Sequence, residues 1–107
     1  MQKYLYFRTE VTGADDDATG DSVCIASSEL TVMEPTGDSE LTLYFNGRAT
    51  VKLNLTTANT HSTAMSAISS AIHSSASGFI TIANDKSGVT KYLANSGISS
   101  CGAITAA

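Results

Sequence analysis

Leu41, Leu43 and Phe45 alternate with Thr42 and Tyr44, and after Asn46-Gly47 the pattern resumes as Val51, Leu53 and Leu55 alternating with Lys52 and Asn54. A period of two puts every second side chain on one face of a strand, and Asn-Gly supplies two residues that tolerate positive φ in a tight turn. The pattern predicts a β-hairpin with a Leu/Val/Phe inner face. Arg48 then stands at the exposed turn and Lys52 on the outer face. The same period runs through Lys3 to Arg8, where Leu5 and Phe7 oppose Tyr4, Tyr6 and Arg8. The first element is therefore expected to be a strand with one apolar side.

The rest of the chain fits around these strands. Residues 11–22 combine glycines with an acidic run and read as a solvated loop. Residues 23–33 read as one irregular strand, closed by a turn over Glu34-Pro35-Thr36-Gly37-Asp38 that holds the only proline. Thr60 to about Ser75 is the one helix expected. Its His61, Met65, Ile68 and Ile72 form an apolar stripe backed by Ala64 and Ala71, with Asn59 or Thr60 as N-cap. Phe79–Ala83, Val89–Leu93 and Ile98–Thr105 read as further strands, with a turn at Asn84–Gly88. These connections are too short for parallel crossovers except around the helix. The expected fold is α+β and mainly β: a small antiparallel sheet curled into a barrel with one helix against it, in one domain spanning 1–107.

Composition narrows the classes of function. The 107 residues are 42% hydrophobic and 15% charged, with a mean hydropathy of +0.04, as in folded proteins. No run of 18 apolar residues and no signal peptide stand out, so a soluble, unprocessed chain with no membrane role is expected. A net charge of −4 argues against coating nucleic acid by bulk attraction. The charge is unevenly spread, however. Residues 10–40 hold nine of the ten acids and no Lys or Arg, whereas from residue 41 onward Arg48, Lys52, Lys86 and Lys91 face Asp85 alone. Residues 53–84 and 92–107 carry no Asp, Glu, Lys or Arg. A small monomer distributes charge over its exposed faces, so these segments are expected to be interior or covered by another copy, which points to a homo-oligomer.

Candidate sites compete with plainer readings. Cys24 and Cys101 read as two free thiols, with one disulfide as the alternative. Together with His61 and His73 they have no zinc-site spacing, and no metal or cofactor is expected. Asp15 to Asp21 matches the first half of an EF-hand loop, but its twelfth position is Ala26, which favours a solvated acidic loop over calcium binding. No Gly-x-Ser-x-Gly elbow is present. His61 reads as a core histidine and His73 as a helix C-terminal one, so no enzyme activity is expected. Arg48 and Lys52 beside Tyr44, and Lys86 and Lys91 beside Tyr92, pair cations with aromatic rings, as single-stranded nucleic-acid binding requires. The plainer reading is of lysines that discourage strand edges from pairing.

Tyr4-Leu5-Tyr6-Phe7-Arg8, Ala14-Asp15-Asp16-Asp17-Ala18, Met33-Glu34-Pro35-Thr36 leading into Leu41–Phe45, and Thr56–His61 before the helix resemble small uncharacterised proteins of marine metagenomes and cyanophages. The resemblance runs along nearly the whole chain. It implies an Sm-like fold, a strongly bent barrel assembled into a homo-oligomeric ring with a pentamer as first guess. It also implies a phage protein of infected host cytoplasm or virion, with single-stranded RNA or DNA as its partner and a role in nucleic-acid processing. A virion structural role, as a capsid-decorating or cement subunit, is the alternative. Ser99-Ser100-Cys101-Gly102 stands where Sm proteins carry Arg-Gly, so no binding residue is transferred from that motif.

Overall fold

The computed structural model describes residues 3–9, 21–46, 49–74, 78–88 and 90–106. Its elements are β1 (Tyr4–Arg8), β2 (Ser22–Ala26), β3 (Leu30–Gly37), β4 (Glu40–Phe45), β5 (Ala49–Leu55), α1 (His61–Ser74), β6 (Phe79–Asn84), β7 (Lys91–Tyr92) and β8 (Ile98–Ala106). The molecule is mainly β with one helix, as expected. The predicted hairpin is β4–β5, with Leu41 facing Leu53 and Leu43 facing Val51.

The arrangement of strands departs from a single curled antiparallel sheet. Among the described residues the strands form two four-stranded sheets, ordered β2-β1-β6-β7 and β3-β4-β5-β8, and no closed barrel is found. One pairing is parallel, between β1 and β6. The two strands are far apart in sequence, and the chain between them, α1 included, is long enough to carry the crossover that parallel pairing needs. The expected irregular strand over 23–33 is two strands separated by a 3₁₀ turn at Ser27–Glu29. The Ser27 amide donates to the Lys3 carbonyl at 2.7 Å, and Glu29 accepts from the Asn46 amide at 2.7 Å. This turn hands the chain from one sheet to the other.

The expected turn around Pro35 also shifts. Pro35 lies within β3, opposite Leu41, and the reversal falls on Asp38 and Ser39. Because β3 is an edge strand, a residue without an amide donor is tolerated there. Arg8 changes role as well: the alternation assigns it to the wet face, yet it is only 4% exposed. A register shift between Tyr6 and Phe7 in the β1–β6 pairing leaves both Phe7 and Arg8 buried at the end of the strand.

The inner faces of both sheets share one core with the helix. Leu5, Phe7, Ile25, Ile80 and Ile82 come from the first sheet; Leu41, Leu43, Phe45, Val51, Leu53, Leu55, Ile98 and Ile104 come from the second. Phe7 meets Phe45 edge-on, with ring centroids 5.9 Å apart, and ties the sheets together. Burial of each such side chain contributes about 1.5–3 kcal/mol. From α1, Ala64 and Ile68 are fully buried while Met65, Ala71 and Ile72 pack at the margin, so the predicted stripe is the buried one.

The helix entry differs from the simple cap. Asn59 turns the chain with φ of 63°, a left-handed conformation that Asn accepts more readily than most residues. The Thr60 carbonyl receives the Ala64 amide at 3.3 Å, while the Thr60 hydroxyl donates back to the Thr57 carbonyl at 2.7 Å. His61 Nε2 lies 2.8 Å from the Gly37 carbonyl and 3.0 Å from that of Glu40. Two carbonyls only accept, so Nε2 carries the proton. His61 is thus half-buried and structural, fastening α1 to the β3–β4 turn.

Candidate interaction surfaces

With their inner faces packed together, the two sheets turn their other faces outward. On the second sheet β4 contributes Thr42 and Tyr44, and β5 contributes Thr50, Lys52 and Asn54. Thr42 faces Lys52 and Tyr44 faces Thr50, so Lys52 is diagonal to the Tyr44 ring on one face. Lys52 is exposed and Tyr44 half-exposed. Cation and aromatic are therefore neighbours, as the hairpin pattern predicts. β3 adds Glu34 opposite Thr42. The Tyr44 hydroxyl is hydrogen-bonded to the Glu34 carboxylate, which is the main reason the phenol is held above its usual range. Glu34 and Lys52 stand on either side of Thr42, so an acid shares this face with the cation. Arg48, at the hairpin turn, lies outside the described residues.

The second nominated group sits where β6 turns into β7. Lys91 faces Asn84 and Tyr92 faces Ala83; Lys91 is exposed and Lys86 half-buried. Tyr92 turns its hydroxyl away from solvent and donates it to Asp85 at 2.5 Å. The Asp85 carboxylate also accepts the Cys101 amide, at 3.0 Å to Oδ2 and 3.3 Å to Oδ1. The β5–β8 ladder shifts register beside that amide, with Leu53 opposite Cys101 but Lys52 opposite Ala103. Gly102 is the extra residue, and a Cβ there would come within 3.2 Å of the Lys52 carbonyl oxygen. Asp85 thus bridges the first sheet to the second. Burial first, then the hydrogen bond and charge of Asp85, push the Tyr92 phenol up to about 12. Burial first, then the Asp85 charge, push the Cys101 thiol up to about 12 as well.

Of the six nominated residues, the fold therefore brings Tyr44 to Lys52, and groups Lys86 with Lys91 and Tyr92, on different sheets. Tyr92 is committed to Asp85 and its ring is half-buried. The alternation could not reveal Asp85, because the amide it accepts belongs to a strand sixteen residues away. A further surface was also hidden: Tyr4, Tyr6 and Phe79 come together on the outer side of the first sheet, the Tyr6 and Phe79 rings 5.3 Å apart. Tyr4 and Tyr6 share a face by alternation, but Phe79 joins them only through the parallel pairing.

Both cysteines are free, Cys24 exposed and Cys101 buried, so the free-thiol reading holds. Among the described residues no group of three or more His, Cys, Asp or Glu is placed to hold a metal ion; the Asp15–Asp21 segment lies outside them, apart from Asp21. No helix among the described residues is long and apolar enough to cross a membrane. The outer side of α1, with Ser62, Ser66 and Ser70, borders a shallow groove closed by Leu93 and Asn95. Comparison with protein-family models, curated proteins and solved structures finds no match to the chain.

Proposed function

We propose that this chain is a non-enzymatic, Sm-like phage protein that assembles into a homo-oligomeric ring and binds single-stranded RNA or DNA. The observation that carries the reading is the exposed Lys52 diagonal to the half-exposed Tyr44 ring on one sheet face. Stacking of a base on an aromatic ring with a cation beside it for the phosphate is the basis of sequence-tolerant single-strand binding. Arg48 adds charge next to this hairpin in the sequence, while Lys86 and Lys91, with Tyr92 beside Lys91, form a second group on the other sheet. One copy makes a weak site, since it offers few cations and Glu34 shares the face with Lys52. A ring repeats the site, and linked weak sites gain affinity without new contacts. Ring assembly is supported by exposed segments without charge, such as Ser62, Ser66 and Ser70 of α1, and by the edge position of β8, which carries no Asp, Glu, Lys or Arg. The proposed site of action is the infected host cytoplasm or the virion.

The second reading, a capsid-decorating or cement subunit of the virion, is favoured by the exposed apolar side chains Tyr4, Val32 and Phe79, because exposed apolar patches mark protein–protein contacts. Fluorescence anisotropy of labelled single-stranded RNA and DNA separates the two. The binding reading expects saturable binding that Lys52→Ala and Tyr44→Ala each weaken by about tenfold. Absence of binding by the assembled wild type at low salt supports the virion subunit.

A further inference from the structure

Three aromatic rings lie together on the solvent side of the first sheet. Tyr4 faces Phe79 across the parallel β1–β6 pair, and Tyr6 follows on the same face. Tyr4 is 44% exposed and Phe79 52% exposed. β2 sets Ala26 opposite Tyr4 and Cys24 opposite Tyr6, while β6 sets Thr81 opposite Tyr6. None of these six residues carries a charge, in a chain whose net charge is −4.

The outward face of a sheet is ordinarily built from charged and hydroxyl side chains. Here large rings stand side by side in water, which drives association with whatever can cover them. The charge pattern decides what that is. A nucleic-acid strand needs cations next to the rings, and the neighbours in register are Ala26, Cys24 and Thr81. Lys3, next to Tyr4 in the chain, borders a groove against Ser69 and His73 of α1, and farther along the same sheet stand Arg8, which is buried, and Lys91, opposite Asn84. A second copy has no such need. A twofold contact sets a patch against itself, so any charge in it faces its own like. An uncharged patch on an acidic protein escapes that repulsion.

We propose that the outer face of the first sheet, centred on Tyr4, Tyr6 and Phe79, packs against the same face of a second copy across a twofold axis. The contact is independent of the Tyr44 and Lys52 face, which belongs to the other sheet. It joins two subunits, or two rings back to back.

Light scattering tests it. Phe79→Ser is expected to lower the scattering mass about twofold, as loss of a twofold contact requires, with unchanged far-UV circular dichroism because the ring is half in water. Cys24 is exposed, so charge can be placed in the face without disturbing the core. Cys24→Glu alone and Cys24→Lys alone are each expected to lower the mass about twofold, and their equimolar mixture to restore it as unlike charges meet. An unchanged mass in these variants overturns the proposal, as does a wild type that scatters as one chain at about 100 μM. A mixture that stays dissociated overturns it too. If Phe79→Ser weakens oligonucleotide binding at unchanged mass, the face stacks bases and the proposal fails.

Discussion

Asp85 is the residue on which the joint between the sheets depends. Its carboxylate takes the Tyr92 hydroxyl from the first sheet and the Cys101 amide from the second. Hydrogen bonds to a charged group each contribute about 1.5–3 kcal/mol, and removing one partner strands the others. Asp85→Ala is therefore expected to lower the unfolding free energy by about 3 kcal/mol in urea titrations, and Tyr92→Phe by about 2 kcal/mol. The same cluster sets an alkaline limit. In the unfolded chain Cys101 ionises near 9.0 and Tyr92 near 10.0, whereas both are raised to about 12 in the fold. The folded state thus holds protons that the unfolded chain releases. Their contribution is complete below about pH 9 and is lost as pH climbs towards 12. The urea midpoint is expected to be lower at about pH 10.5 than at about pH 7.5, and the gap to narrow in Cys101→Ala. An equal midpoint at both pH values contradicts this account.

At the scale of elements, α1 is held by the few residues that reach the core. Its exposed side is Ser-rich, and Ser is an indifferent helix former, so packing of Ala64 and Ile68 must stabilise it. Ile68→Ala is expected to cost about 3 kcal/mol through the cavity it leaves, read from thermal or urea unfolding. Ile72→Ala, at the margin of the core, is expected to cost less. The helix and the β4–β5 hairpin were legible because their periodicities are local and long enough to be unambiguous. The break at Ser27–Glu29 was not. Val23–Ile25 and Leu30–Met33 are both extended and apolar, and only the distant partners Lys3 and Asn46 fix the turn between them. The parallel pairing of β1 with β6 was hidden for the same reason, and with it the grouping of Phe79 with Tyr4 and Tyr6. The cation and ring of the hairpin, Lys52 and Tyr44, were legible because antiparallel register across a short turn fixes which residues share a face.

For the whole molecule, charge is divided between regions of the chain rather than mixed over it. Nine of the ten acids lie in residues 10–40, and the later part carries four cations against one acid. Long uncharged stretches, some of them exposed on α1 and β8, suit a protein that works as an assembly. In the proposed ring each copy presents Lys52 beside Tyr44, and the combined cations contact one strand. Binding of that kind releases counterions in proportion to the phosphates neutralised. The direct test is anisotropy of a labelled single-stranded oligonucleotide titrated with the assembled protein at about 50 mM and about 200 mM salt. The account predicts micromolar or tighter binding at the lower salt and a loss of at least about tenfold at the higher, with a shallower salt slope for Lys52→Ala. Binding that ignores salt, or no binding at the lower salt, contradicts it.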